Sequence, residues 1–430
     1  MHHTLSNMWR RRAGLGLEPA VATLFRSYLL WNLGFALYAT VSTLYLRQIG
    51  ASYDQIGLVL GGAAVGRTLL SIPAGILADR LSPALILVTT MVLPVLGMAG
   101  LLASTVWWQA LVAVLVVELS GLGVPALSTL LAASAPADTR SRAFTWLYTV
   151  APQSAFLVGP ALSGLLADAA GYGVVFVAAA VCFAAGVAAL VPLVRASRGI
   201  TDPAPDVSTV TTVAASDDDA ATASDGSTGT IRQALRDPGV RFVVLLHVLV
   251  PLLPYTGLIL LANFLVDERG VSVATVGLLG SVSAGAALVV GLMLGRWRRL
   301  ANPFTGIAFC LGCGALALGL VWLGGSLVLL VVAVVLRGAL SPVFALLSVA
   351  VAQVTPPYLR GRVFGVAETG AGVGDIAAPV LAGGLYQTNP VLPLLAGLLT
   401  TAPLAVWVAL SRKRYRPEET APPARTGVLS

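Results

Sequence analysis

Apolar runs of about 20 residues recur along this chain with only short polar breaks between them, and that is the length of helix needed to cross a hydrocarbon layer of roughly 30 Å. Six fall in the first half, at approximately 27–46, 56–77, 84–103, 108–131, 144–166 and 174–194. Six more follow, at approximately 242–265, 276–294, 304–323, 327–351, 363–385 and 391–410. The runs lack the alternation of barrel strands, and in lipid each backbone polar group must be bonded within its own segment, so the pattern predicts helices. The expected fold class is an all-α polytopic membrane protein with twelve transmembrane helices.

The polar breaks set an orientation. If the N-terminus is cytoplasmic, the 26 Lys and Arg all fall inside except Arg47 and Arg269 outside and Arg67 and Arg337 within spans. That bias predicts both termini in the cytoplasm of a cell membrane, with the first span uncleaved because it is of full membrane length. One break is long and polar, with Asp217, Asp218, Asp219 and Asp225 among many Ser, Thr and Ala, and it reads as a solvated tether. The expected organisation is therefore a cytoplasmic tail (1–26), a first six-helix bundle (27–198), a disordered cytoplasmic linker (199–236), a second six-helix bundle (237–411) and a second cytoplasmic tail (412–430).

Composition removes other classes. Of 430 residues 57% are apolar and 10% charged, whereas a soluble domain carries roughly a quarter charged residues. A cytosolic enzyme, a disordered scaffold and a nucleic-acid partner are excluded as first readings, despite a net charge of +7, because the arginines lie in short loops. Cys182, Cys310 and Cys313 lie inside apolar runs, and the CxxC they include has no second ligand pair, so neither a disulfide framework nor a metal site is expected. The glycines of Gly121-Leu-Gly123 and Gly370-Ala-Gly372-Val-Gly374 sit mid-membrane without a preceding soluble strand and read as packing glycines. The only lysine, Lys413, has no GxxxxGK context, and HExxH and GxSxG are absent, so no cofactor, no ATP-driven step and no enzyme are expected.

An internal repeat underlies the two sets of six. An offset of 220 pairs Gly50 with Gly270, Ser52 with Ser272, Gly57 with Gly277, Gly75 with Gly295 and Pro136 with Pro356. The same register carries Arg140-Ser-Arg142-Ala-Phe144 onto Arg360-Gly-Arg362-Val-Phe364. Two bundles of equal orientation, related by an axis along the membrane normal, form the parallel-repeat architecture of a rocking transporter with its site near the midplane.

Two segments resemble the major facilitator superfamily, and the resemblance extends over the chain outside tails and linker. Gly75-Ile-Leu-Ala-Asp79-Arg80 is similar to the family's signature loop between its second and third helices, although Ser82, Pro83 and Ala84 depart from the continuation. The resemblance implies a cytoplasmic gate of Gly75, Asp79, Arg80, Arg142 and Arg362, with Asp79 approaching the positive N-terminal end of the eleventh helix. Repeat-equivalent to Asp79 is Arg299, which is expected to pair with Asp138. Ala155-Phe-Leu-Val-Gly159-Pro160-Ala-Leu-Ser163-Gly164 is similar to the bend motif of proton-coupled exporters in that family, with Gly159, Pro160 and Gly164 as its core, and this points to efflux of the drug/proton antiporter type.

Ionisable groups at bilayer depth are costly, about 2.5–3.5 kcal/mol on insertion scales, so each asks for a reason. Glu368 and Asp375 lie seven residues apart on one face of the eleventh helix, and either couple transport to protons or pair statically with Arg337. Glu118, a further coupling candidate, is either neutralised by Arg67, or joins Arg337 in binding a charged substrate, or pairs with Arg337 itself. His247 either titrates near neutral pH or is packed. The remaining candidates for the cavity wall, drawn from helices that the family implies line it, are Trp31, Asn32, Tyr38, Tyr255, Asn263 and Phe344. The predicted function is a monomeric secondary active transporter that exports a small organic compound against protons. Alternatives are an importer of the same fold and a non-transporting receptor or scaffold.

Overall fold

The computed structural model describes residues 18–78, 81–136, 138–197, 234–296 and 302–412. They form helices and no strand. In the first half these are α1 (Pro19–Gln48), α2 (Tyr53–Ala78), α3 (Pro83–Ala103), α4 (Trp107–Ser134), α5 (Arg140–Ala170) and α6 (Tyr172–Ser197). The second half has α7 (Pro238–Glu268), α8 (Val273–Arg296), α9 (Pro303–Leu323), α10 (Leu327–Val354), α11 (Arg360–Thr388) and α12 (Leu392–Ser411). Within each half, short loops join consecutive helices, which therefore alternate in direction. The face where α1 begins and α12 ends is called the terminal face below, and its opposite the far face.

Local chemistry sets the ends. Pro19, Pro83, Pro238 and Pro303 open helices where a missing N–H costs nothing, and Asp237 caps α7 through bonds of 2.6 and 3.1 Å from the amides of Gly239 and Val240. The turns after α1, α5 and α7 use Gly50, Gly171 and Gly270 at positive φ, which an L side chain rarely adopts. Helix α1 starts eight residues before the apolar run does, because Val21, Leu24 and Phe25 bury themselves against Met91, Leu127 and Leu131 on the terminal side of α3 and α4. The linker expected at 199–236 lies outside the described residues up to 233, as do the tails at 1–17 and 413–430.

Each half repeats one packing scheme. In the first, α1 packs on α5 and α6, α3 on α4 and α6, and α2 on α4; in the second, α7 packs on α11 and α12, α9 on α10 and α12, and α8 on α10. The halves meet through two equivalent contacts, α2 with α11 and α5 with α8. Leu69, Val328, Leu399 and Leu410 stand among many large apolar side chains exposed on the outer surface, as a lipid-facing wall requires. Ten of the helices are individually long and apolar enough to span a bilayer, and α2 and α11 complete the twelve.

Backbone irregularities fall at equivalent depths. Helix α4 is interrupted by a 3₁₀ turn at Leu119–Gly123, and α10 by a turn between Gly338 and Val343. Pro125 and Pro342 explain both, since each removes an amide donor and pushes against the carbonyl four residues earlier. Glu118 and Arg337 therefore sit at the last regular turn before each break.

Candidate functional site

A cavity of about 730 Å³ lies between the halves, walled by α1, α2, α4 and α5 on one side and α7, α8, α10 and α11 on the other. Its charged lining is Arg67, Glu118, Asp375 and Arg337. Arg67 reaches from α2 to two acids: Nη1 lies 3.6 Å from Oε2 of Glu118 on α4, and Nη2 lies 3.5 Å from Oδ2 of Asp375 on α11. The first pair is internal to one half and the second bridges the halves. Both distances exceed the roughly 2.7–2.9 Å of a tight charge-assisted hydrogen bond, so one guanidinium is divided between two carboxylates.

The second arginine is differently placed. Arg337 lines the cavity from α10, with Tyr255 of α7 within electrostatic reach, and among the described residues it has no carboxylate at ion-pair distance. Asp375 therefore pairs with Arg67, and neither the static pair with Arg337 expected for Asp375 and Glu368 nor a Glu118–Arg337 pair is formed. Glu368 sits two turns from Asp375 toward the terminal face, exposed and outside the cavity wall.

Of the remaining cavity candidates only Tyr255 lines this space. Trp31 is stacked between Tyr28 and Phe35, with ring centroids 5.7 and 5.6 Å away, and Tyr38 packs on Phe35 and Phe176 inside the first half. Asn32 donates through Nδ2 to the carbonyl of Tyr28 at 2.8 Å. His247 is buried, with its Nδ1–H directed at the carbonyl of Val243, 2.9 Å away. Phe344 is exposed and packs on Tyr255 at 6.0 Å. The wall of α1 consists instead of Ala39, Thr40, Ser42 and Thr43, because nine residues at about 100° each put Trp31 half a turn from Thr40. Gln153, Phe156 and Ser283 also line the cavity and carried no signal of their own. Phe156 is nevertheless repeat-equivalent to Asp375 within one residue, so the repeat pointed to it.

Asn263 marks the symmetry axis. Its Nδ2 donates to the carbonyl of Thr43 at 3.2 Å, and the two residues are separated by the repeat offset of 220. A residue that touches its own repeat mate must lie beside the axis relating the halves. This contact, on the far side of the cavity, joins others that cross between the halves there. Tyr53 donates its hydroxyl to Asp267 at 2.7 Å and its amide to Oε1 of Gln387 at 3.1 Å, and its ring meets that of Tyr386 at 4.0 Å. This set ties the two halves together on the far side of the cavity.

The bend motif has a structural role in the same contacts. A side chain at Gly159 would strike Ala36 of α1, and one at Gly164 would strike Val273 and Gly277 of α8. On α11, Pro379 and Gly383 repeat Pro160 and Gly164 and meet Gly57 of α2 in the same way. One residue past Pro160, which lies inside the continuous helix, the amide of Ala161 donates to Ser281 Oγ of α8 at 3.0 Å. Of the gate residues, Gly75 lies in the last turn of α2, and Arg142 and Arg362 are exposed at the starts of α5 and α11. Asp79, Arg80 and Arg299, with the contacts expected of them, lie outside the described residues.

Comparison with known proteins places this architecture. The profile of the Major Facilitator Superfamily matches residues 22–379 and 255–429. An uncharacterised MFS-type transporter of Methanocaldococcus jannaschii is 29% identical over 153 residues, 35% of this chain and 39% of that relative, so the match spans well under half of it. Among solved structures, a peptide transporter in complex with alafosfalin has a TM-score of 0.70 at 17% identity, covering 93% of this chain and 95% of that one. A bacterial homologue of the iron transporter ferroportin in an inward-facing state has a TM-score of 0.68 at 16% identity, covering 91% and 98%. A bacterial homologue of the lysosomal transporter Spinster, inward-facing and unoccupied, has a TM-score of 0.64 at 16% identity, covering 93% and 97%. At these identities the likeness is one of fold.

Proposed function

The chain belongs to the major facilitator superfamily, and on that premise we propose that it is a secondary active transporter that exports a small organic compound in exchange for protons. The observation that carries the coupling is the division of Arg67 between Glu118 and Asp375. Fully charged, this trio bears one negative charge more than it can neutralise, which makes room for one proton. Arg67 and Glu118 move with the first half and Asp375 with the second. Protonation of Asp375 removes the attraction that spans the halves, and its loss restores it, so proton occupancy biases the rocking of one bundle against the other.

Access follows the contacts. With the halves tied together on the far side through Tyr53, Asp267 and Asn263, the cavity is served from the terminal side, and termini in the cytoplasm make this the inward-facing state. Glu368, two turns along α11 toward that side, is placed to pass protons between Asp375 and the cytoplasm. The export direction rests on the likeness of Gly159, Pro160 and Gly164 to the exporters' bend motif.

The test is proton movement in proteoliposomes loaded with a pH-sensitive dye and challenged with lipophilic cations, neutral metabolites and organic anions. Compound-dependent proton flux that disappears in Asp375→Asn and slows in Glu368→Gln supports exchange. Compound flux without proton movement, unchanged in Asp375→Asn, makes the protein a facilitator, and flux in the same direction as an imposed proton gradient makes it an importer.

A further inference from the structure

The repeat gives each half the same frame but not the same charges, and the difference isolates Arg337. In the first half Glu118 on α4 finds its counter-charge on the neighbouring helix α2, at Arg67. Helix α8 packs on α10 as α2 packs on α4, and the position equivalent to Arg67 is Ala287. The wall that α8 presents there is Ser283, Ala284 and Ala287, small residues without an acid. Helix α11 does carry an acid, Asp375, but its carboxylate is engaged by Arg67. An arginine cannot shed its proton to escape burial, and a charge at this depth needs a partner. The fold withholds one and leaves space where it would stand.

We propose that Arg337 anchors the acidic group of the transported compound, and that the substrate class is a small amphipathic organic anion. The proposal rests on the transport reading for the cavity's being a substrate site. The guanidinium offers a planar fork suited to a carboxylate or sulfonate, and the phenol of Tyr255, which lines the same cavity, is a further donor. Phe156, Leu258 and Leu279 supply an apolar wall for the rest of the molecule, and a volume of about 730 Å³ accommodates a compound of metabolite or drug size. The trio around Arg67 keeps its own negative excess for the proton, so anion and proton have separate places in one cavity.

The experiment compares three probes of one skeleton, 1-naphthylacetate, 1-naphthylacetamide and 1-naphthylmethylammonium, for binding to the purified full chain in lipid nanodiscs. The acetate is expected to bind about ten-fold more tightly than the amide, the scale of one charge-assisted contact, and the ammonium more weakly still. In Arg337→Gln the acetate loses that advantage, and Arg337→Lys retains part of it. Ala287→Glu, which supplies the missing counter-charge, erases the advantage with Arg337 still in place, so the result does not depend on one variant's folding. Equal binding of the three probes, an acetate preference that survives in Arg337→Gln, or no acetate binding to monodisperse parent protein at millimolar concentration overturns the proposal. Displacement of the acetate by equimolar chloride also overturns it, since the site then takes a simple anion. Failure of the transport reading looks different: probe discrimination persists in nanodiscs while proteoliposomes show no flux. Flux of neutral or cationic compounds that ignores Arg337→Gln keeps the transporter and removes the anion site.

Discussion

Arg67 serves two acids that belong to different halves of the molecule, at 3.6 Å and 3.5 Å, and its removal strands both. Glu118 and Asp375 would then repel each other in a half-buried site. Arg67→Gln is expected to cost about 1–3 kcal/mol, below the value for a fully buried pair because the three side chains keep partial access to water. Thermal unfolding in detergent measures it. The double variant Arg67→Gln with Asp375→Asn should recover part of the loss, and no recovery would mean that the trio does not act as a unit. The acids themselves were legible in the sequence, because a carboxylate interrupting an apolar run is visible without a structure. Their sharing of one arginine was not, since it depends on α2, α4 and α11 converging. Trp31 and Tyr38 mark the same boundary from the other side: aromatic residues on a presumed lining helix meet Phe183 and Phe176 of α6 and hold α1 to its own half.

Helices α2 and α11, and likewise α5 and α8, cross where glycine lets backbones touch. A side chain at Gly277 would fall on the carbonyl of Pro160, and one at Gly57 on that of Pro379. Gly277→Val is expected to destabilise the tie between the halves on the far side by about 1–3 kcal/mol, an overpacking cost, without disturbing the packing inside either half. Its signature is a rise in labelling of an Asn263→Cys reporter, buried in the parent, by a membrane-impermeant maleimide. Tyr53→Phe removes the bond to Asp267 and should raise the same labelling severalfold, by roughly 1 kcal/mol; unchanged labelling in both would separate the far-face contacts from gating. The Pro-x-x-x-Gly spacing of α5 was readable along the chain, and its recurrence on α11 as Pro379 and Gly383 was equally printed there. That both serve one kind of crossing is visible only when the two helix pairs are seen together.

For the whole molecule, alternating access predicts that the two faces change places. Cysteines introduced at Ser52 in the α1–α2 loop and at Thr139 in the α4–α5 loop should react with impermeant reagent from opposite sides of intact cells, the first from outside. Labelling at Thr139 instead of Ser52 from outside would overturn the assigned orientation. Cys182, Cys310 and Cys313 are unpaired and lie within α6 and α9, which keeps the background low. The sequence alone determined the membrane setting, the helix count and the duplication, because each is a property of local composition or of a register that survives along the chain. Span length is set by bilayer thickness, and a repeat offset is arithmetic. Which charges meet was decided by tertiary structure, because equivalent helices bring different residues to equivalent places. The same frame that gives Glu118 its arginine gives Arg337 only alanine, and that asymmetry exists only where α8 and α10 lie side by side.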